Sequence, residues 1–313
     1  RTQDHAALEA AEQSRIPYLI IYLFEPSLLA YPDSSLRHQQ FIYHSLIDAN
    51  RKLKAFHRSI QTFYVEAPTF FEFILEHFDL KSVFSYQESG IKETWNRDKK
   101  VMNILKKNNI SWYQFQKGGV IRGINNRINW DRMWLDNFNI PPIKNVFTIN
   151  DQPPLKNPFS LPKTLEQKFH KEAPHFQAAG ETQAWKYLKS FTHDRGKIYH
   201  KMISKPLDSR KSSGRISPYL SWGNLSVKQT MHHVYNHPNF KKHKRAFGGL
   251  MTRLKWRCHF IQKFEVECDY EILCVNRGFE SLIRTENKDH LKAWQTGRTG
   301  FPLVDASMRC LNA

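Results

Sequence analysis

A short run of small, hydroxylated and basic residues has the composition of a phosphate-binding turn. Its sequence is Ser213-Gly214-Arg215-Ile216-Ser217. Small residues let backbone N–H groups approach an anion closely, and arginine and serine side chains add hydrogen-bond donors. Each hydrogen bond to a charged phosphate contributes roughly 1.5–3 kcal/mol. Because the same composition also occurs where ordinary helices start, both interpretations stay open on these residues alone.

A second run places aromatic and cationic side chains on one face of a predicted helix. At 3.6 residues per turn, that face carries Arg253, Trp256, Arg257 and Phe260. An indole beside guanidinium groups suits stacking on a base together with contact to phosphate. The alternative interpretation is a core tryptophan with an arginine rim.

The histidines and cysteines do not predict a metal site. Residues 232–243 contain four histidines, but the surrounding lysines and arginines make a cation site unfavourable. The four cysteines lack the paired C-x-x-C spacing of zinc sites and are too few for a disulfide scaffold. We therefore expect no metal, and thiols that are buried or inert in a reducing compartment.

Positive charge is concentrated in one part of this chain of 313 residues, whose formal net charge is +18. Residues 1–90 contain eight Lys/Arg and eleven Asp/Glu, whereas residues 197–257 contain fourteen Lys/Arg and a single acid, Asp208. A surface dense in positive charge attracts phosphate and releases counterions on binding. A solvated basic surface is the alternative, but Tyr199, Trp222 and Trp256 interleave with the charges, which favours a nucleic-acid partner.

The first 116 residues alternate short apolar runs with longer helical patterns. We predict strands at Tyr18–Phe24, Gln61–Val65, Ser82–Tyr86 and Ser111–Phe115, and helices at Leu36–Phe56, Thr69–Phe78 and Lys92–Lys107. Because strands separated by helices form parallel sheets with helices on both faces, residues 1–116 predict a doubly wound α/β domain.

Residues 117–177 are rich in proline and poor in periodic stretches, so we predict an interdomain linker. Within it, Trp130-x-x-x-Trp134 is expected to dock on a domain surface. Residues 178–313 predict an α-helical domain. Its expected helices are Gln183–Phe191, Ser226–Tyr235, Phe247–Val266, Cys268–Phe279 and Asp305–Leu311.

The sequence shows no sign of membrane insertion or secretion. The longest apolar run, Ile16 to Phe24, is far shorter than the roughly 20 residues that a membrane helix needs. There is also no charged-then-apolar leader at the start. We expect a cytoplasmic monomer without a membrane partner, associated with the nucleoid in a bacterium.

A third segment completes a resemblance to a known family. Trp294-Gln295-Thr296-Gly297-Arg298-Thr299-Gly300-Phe301-Pro302 continues into Val304-Asp305-Ala306 and Met308-Arg309. Together with the run from Gly214 to Gly223 and with Tyr199, it resembles the flavin-binding domain of the photolyase/cryptochrome family. Phe24-Glu25-Pro26 similarly resembles that family's antenna domain. The resemblance implies an antenna-like α/β domain whose first strand precedes Arg1, and an all-α FAD-binding domain that is incomplete at Ala313.

The resemblance also implies ligands and the residues that bind them. FAD is the implied cofactor, often accompanied by an antenna chromophore of folate, deazaflavin or flavin type, and DNA containing pyrimidine dimers is the implied partner. The residues that match the family's flavin contacts are Tyr199, Ser213, Gly214, Arg215, Ile216, Ser217 and Arg257. The residues expected to contact DNA are Arg253, Trp256, Arg257 and Phe260. No catalytic residue is assigned, because the family's residues around the flavin ring follow the position of Ala313.

The implied function is a light-driven, FAD-dependent DNA photolyase that acts on a dimer flipped out of the duplex. Many repair photolyases carry a glutamate three residues before the tryptophan that matches Trp256, whereas this chain has Arg253. A positive side chain cannot accept the hydrogen bonds that a carboxylate accepts. Two alternatives follow: a cryptochrome-type blue-light photoreceptor without repair activity, or a non-catalytic DNA-binding fragment.

Overall fold

The computed structural model describes residues 1–172 and 175–313. Residues 173 and 174, which include Pro174 of the predicted linker, lie outside the described residues. The strands are β1 (Ile20–Leu23), β2 (Ile60–Phe63), β3 (Ser82–Tyr86) and β4 (Ser111–Phe115). The helices up to residue 170 are α1 (Ala6–Gln13), α2 (Pro26–Leu29), α3 (Leu36–Leu53), α4 (Ala67–His77), α5 (Lys92–Lys107), α6 (Trp130–Asn139) and α7 (Lys163–His170).

The remaining part of the chain is helical. Its helices are α8 (Glu181–Ser190), α9 (Tyr199–Met202), α10 (Pro206–Ser212), α11 (Ser217–Ser221), α12 (Val227–Tyr235), α13 (Lys244–Val266), α14 (Lys288–Thr296) and α15 (Pro302–Asn312). By internal contacts the chain divides into one unit from Arg1 to Cys268 and a second from Asp269 to Ala313. The expected boundaries at 116 and 177 stay predictions.

Both strand pairs are parallel, which confirms the predicted α/β class followed by a helical part. β1 pairs with β2 from Ile20 opposite Ile60 to Leu23 opposite Phe63. β3 pairs with β4 in the same way along their full lengths. Among the described residues, the two pairs are not hydrogen-bonded to each other.

An apolar gap separates β1 from β3. Cavities of about 440 Å³ and 580 Å³ border it, and Ile21 and Val83 line both of them. Leu8 of α1 lines the smaller one. A further parallel strand in this gap would pair with the edges of β1 and β3 and cover the apolar helix faces. The expected strand ahead of Arg1 stays a prediction that this gap would accommodate.

Most predicted elements agree with the structure to within a few residues, and β3, β4 and α5 agree at both ends. The helix predicted at Cys268–Phe279 is wrong. That segment forms two short 3₁₀ turns, Cys268–Glu271 and Arg277–Phe279, and Ile272 and Phe279 are exposed. A short helix gains little stability without a buried face, and the Asn276 side chain caps the second turn instead.

The linker contains the helix α6, and this helix docks as the tryptophan spacing predicts. Trp130, Trp134 and Phe138 lie four residues apart on one face and are buried. They belong to the same core as Leu188 of α8 and Phe247 of α13. No described helix is both long and apolar enough to cross a membrane.

In the second unit, α14 and α15 enclose a tight loop. Gly297 ends α14 with φ +66°, and a Cβ there would lie 2.7 Å from the Asp305 carbonyl oxygen. The Asp305 carboxylate accepts hydrogen bonds from the N–H of Thr299 at 2.7 Å and of Gly300 at 3.0 Å. The hydrogen bond from the Thr299 hydroxyl, at 2.7 Å, is the main cause that lowers the pKa of Asp305, and the two backbone bonds lower it further. Asp305 thus lies inside α15 and holds the loop that precedes this helix.

One buried side chain fastens the segment after β4 to α13. Gln262 is fully buried, and its Oε1 accepts from the Ile121 N–H at 2.7 Å while its Nε2 donates to the Ile121 carbonyl at 2.9 Å. The side-chain amide of Gln262 therefore makes the same two hydrogen bonds to Ile121 that a neighbouring β-strand would make. This contact fixes the position of α13 relative to the α/β part of the first unit.

We predict that Gln262→Leu lowers the free energy of unfolding by roughly 1–3 kcal/mol, because the Ile121 N–H and carbonyl lose their partners. Urea denaturation followed by circular dichroism measures the change. Gln13→Leu, at an exposed position, is the matched control. If the two variants unfold at the same urea concentration, Gln262 does not fasten this segment.

Candidate functional site

The predicted phosphate turn, residues 213–217, connects α10 to α11. Arg215 has φ +53°, in the left-handed region, and Ile216 follows at φ −101°, ψ −3°. Successive left-handed and right-handed residues point consecutive N–H groups toward one side and form an anion-binding concavity. Within the described part of the chain, the N–H groups of Arg215, Ile216 and Ser217 have no backbone acceptor outside their helix.

The carbonyl oxygens of the turn are occupied by side chains from elsewhere in the chain. The Arg195 guanidinium donates to the carbonyls of Ser213 and Gly214, the latter at 2.9 Å. Gln177 Nε2 donates to the Arg215 carbonyl at 2.7 Å. With the carbonyls held on one side, the N–H groups of the turn remain available on the other.

Arg195 is the last residue of a π-helical turn, a rare structure that positions its side chain beside these carbonyls. Residues Phe191–Arg195 form a π-helical turn at the end of α8, which the Gly196 N–H closes on the Phe191 carbonyl at 3.0 Å. A Cβ at position 196 would lie 2.6 Å from the Phe191 ring, so only glycine fits there. Such turns are frequent at functional sites. Sequence reasoning missed both Arg195 and Gln177, which lie 18 and 38 residues from the groups they bind.

Tyr199 and the turn meet at the same stretch of α13. A Cβ on Gly249 would lie 3.5 Å from the Tyr199 ring, and a Cβ on Gly214 would lie 3.3 Å from Leu250. Burial raises the pKa of the Tyr199 hydroxyl, while the nearby Arg253 guanidinium lowers it. Tyr199, the turn and Arg253 thus lie near one another along α13, while their assignment to flavin and DNA stays a prediction.

The exposed face of α13 presents an arginine stacked on an indole. The Arg253 guanidinium carbon lies 4.3 Å from the centre of the Trp256 ring. Trp256 is 47% exposed and Phe260 is 61% exposed. These fractions exclude the core interpretation of Trp256. The surface combines two aromatic rings with a cation, which suits base stacking beside phosphate.

Arg257 occupies a different place. Its guanidinium donates to the Leu220 carbonyl at 3.3 Å and lines a cavity together with Arg1 and Tyr86. Neither Tyr199 nor any residue of the turn lines that cavity. The expected contacts of Arg257 with flavin and DNA stay predictions, and its nearest surroundings belong to the α/β part.

Comparison with known proteins covers both ends of the chain. Residues 1–122 match the family described as DNA photolyase, and residues 250–313 match the family described as FAD binding domain of DNA photolyase. The chain belongs to the photolyase/cryptochrome family. FAD is the cofactor of the matched domain.

Individual photolyases and cryptochromes are similar to this chain at low identity. A deoxyribodipyrimidine photo-lyase of Alkalihalophilus pseudofirmus is 32% identical over 139 residues, which is 44% of this chain and 27% of that enzyme. A cryptochrome of Synechocystis has a TM-score of 0.81 at 18% identity, covering 100% of this chain and 69% of its own. An archaeal photolyase of Sulfolobus tokodaii with two FAD molecules has a TM-score of 0.76 at 19% identity, covering 100% and 68%. At these identities the structural matches establish the fold alone.

The geometry of the turn fits the phosphate end of FAD. The turn has a left-handed residue followed by a right-handed one, Arg195 and Gln177 occupy its carbonyls, and Arg215 supplies a cation. The hydroxyls of Ser213 and Ser217 stand at either end as further donors. By contrast, no group of three or more His, Cys, Asp or Glu side chains in residues 1–172 and 175–313 is placed to hold a metal ion.

We predict that Arg195→Gln weakens FAD binding about tenfold or more, because the turn loses the charged donor that holds its carbonyls. Quenching of flavin fluorescence during titration of the flavin-free protein measures the affinity. Arg210→Gln, on the exposed side of α10, is the matched control. Circular dichroism of the variant checks that the fold persists. Unchanged FAD affinity in a folded Arg195 variant would contradict the role given to this residue.

Proposed function

We propose that this chain forms part of a light-driven, FAD-dependent DNA photolyase that acts on pyrimidine dimers in DNA. The observation that carries the proposal is the exposed Arg253–Trp256 stack beside the phosphate turn and Tyr199. It places a surface suited to a flipped base next to a surface suited to a flavin phosphate. The family membership and the basic composition of residues 197–257 support the same function.

The residues have separate tasks in this proposal. The turn, held by Arg195 and Gln177, binds the phosphates of FAD, and Tyr199 forms part of the neighbouring wall. Trp256 and Phe260 offer their rings to the flipped base, whose extrusion costs only a few kcal/mol when it is damaged. Bound FAD supplies the light absorption and the electron that splits the dimer.

An antenna chromophore would have a suitable position at the carboxyl ends of β1 and β3. Open α/β sheets bind ligands at this edge. At this edge Arg97 is bound to Glu25 at 2.9 Å and to Glu88 at 2.7 Å. Burial raises the pKa of Glu25, whereas Arg97 lowers it. The class of the chromophore stays open among folate, deazaflavin and flavin types.

We expect that the full chain, loaded with FAD and photoreduced, restores dimer-containing oligonucleotides under blue light but not in the dark. Chromatography that separates the dimer-containing oligonucleotide from the restored one measures repair. Trp256→Ala should weaken dimer binding about 5- to 150-fold, since stacking contributes roughly 1–3 kcal/mol per base. Tyr113→Ala, at an exposed position of β4, serves as the aromatic control. Flavin-loaded protein that binds dimers but leaves them intact in the light would contradict the photolyase proposal.

One observation favours the cryptochrome alternative. Where repair photolyases of this family often have a glutamate, Arg253 stacks on the Trp256 ring and brings a positive charge near Tyr199. A carboxylate acceptor for the dimer is therefore absent from this position. In the photolyase proposal, Arg253 instead binds a phosphate of DNA.

We predict that Arg253→Gln weakens binding to undamaged and damaged DNA alike. It should reduce the slope of log K against log salt concentration by about 0.9, the value for one phosphate contact. Fluorescence anisotropy at several salt concentrations measures both quantities, with Arg132→Gln as an exposed control. If the slope does not change but FAD affinity falls, Arg253 serves the flavin, and DNA binding does not involve it.

A further inference from the structure

A small cavity outside the flavin turn collects cationic side chains from separate parts of the first unit. Its volume is about 100 Å³, and Arg1, Lys117, Lys228 and Arg257 line it. Tyr86, the last residue of β3, also lines it, and Lys117 follows the end of β4 by two residues. The cavity therefore lies beyond the carboxyl ends of two parallel strands, where open α/β sheets bind ligands.

The charges in this cavity are not balanced. Among its lining residues the only carboxylate is Asp4, whose Oδ1 already accepts from the Ile143 N–H at 2.9 Å. The Arg1 guanidinium donates to the Asp4 carbonyl at 2.9 Å, and Arg257 donates to the Leu220 carbonyl. Among the lining residues, four cations thus face one carboxylate and neutral carbonyls, and this excess of positive charge attracts an anion.

Two further features of the cavity offer hydrogen-bond donors. The Nδ2 atom of Asn137 is buried, with no hydrogen-bond partner among the described residues. Val227 and Lys228 are the first two residues of the nine-residue helix α12, and both line the cavity. The N-terminal end of this helix, which carries the partial positive charge of the helix dipole, therefore borders the cavity.

The titration of Lys117 agrees with a crowded positive environment. Lys117 is at the solvent-exposed mouth of the cavity. Desolvation lowers its pKa and outweighs the attraction of Glu88, and the charges of Arg257 and Arg1 lower it further. An anion in the cavity would relieve this repulsion.

We propose that this cavity binds one phosphate group, as a site separate from the flavin turn. Its volume of about 100 Å³ is ample for an oxyanion, because a cavity needs only roughly 10–15 Å³ of such space to hold one water molecule. The excess of cations matches a phosphate dianion better than a singly charged carboxylate. No residue of the turn lines the cavity, so its ligand is not the flavin phosphate that the turn would hold.

Titration of the FAD-loaded full chain with inorganic phosphate tests the proposal. Calorimetry should show saturable binding of one phosphate per chain, and the melting temperature should rise with phosphate concentration. Lys228→Gln and Asn137→Leu should each weaken phosphate affinity about tenfold. The first removes a charge, and the second removes an amide donor without changing the charge.

Matched controls separate this site from general attraction to a basic surface. Lys100→Gln and Asn139→Leu make the same chemical changes at exposed positions outside the cavity and should keep the affinity of the unaltered protein. The proposal is overturned by binding that does not saturate, or by equal loss in the controls. Acetate binding as tightly as phosphate would overturn the phosphate assignment. If only the flavin-free protein binds phosphate, the cavity is not a separate site.

Discussion

The geometry of the predicted phosphate turn, residues 213–217, depends on the hydrogen-bond partners of its backbone carbonyls. Each buried carbonyl without a partner costs roughly 1–3 kcal/mol. The Arg195 guanidinium serves the carbonyls of Tyr187 and Gly214 at 2.8 Å and 2.9 Å, and also that of Ser213. Only arginine has five donors in a fixed planar fork. Because this fork engages the carbonyls of the turn, the N–H groups stay available, which supports the proposal that the turn binds a phosphate.

Arg195 is in turn positioned by the α/β part, through the start of α8. Glu181 is buried, and its carboxylate accepts from the Thr2 N–H at 2.9 Å and from Lys52 at 3.1 Å. Asp48 accepts from the Thr182 N–H at 3.0 Å. Gly180, at φ +105°, lies so close to Asp48 that a Cβ would be 2.8 Å away. Thr2, Lys52 and Asp48 of the α/β part thus fix the start of α8, whose end leads into the turn that carries Arg195. The geometry of the turn at residues 213–217 therefore depends on both parts.

The sequence predicted those features that depend on neighbouring residues. β3, β4 and α5 have strong local patterns, and the turn at 213–217 is recognisable because its donors are contiguous. Arg195 could not be predicted, since its role depends on a π-helical turn and on partners brought together by packing. The helix predicted at Cys268–Phe279 has a helical pattern but no buried face. Similarly, periodicity put Arg253 and Arg257 on one face, yet the contacts of each depend on what packs beside it.

Arg253 and Arg257 lie four residues apart on α13, and their contacts keep the two positive charges apart. Like charges four residues apart on a helix destabilise it by about 0.2–0.5 kcal/mol. Here one guanidinium lies on the Trp256 ring and the other donates to the Leu220 carbonyl, so the charges diverge and neither is neutralised by a carboxylate in the described contacts. A ring face and a carbonyl attract a cation more weakly than an anion does. Both guanidinium groups therefore keep positive charge that no described carboxylate takes up, and this supports the proposal that Arg253 binds the DNA backbone rather than replacing a glutamate at the dimer.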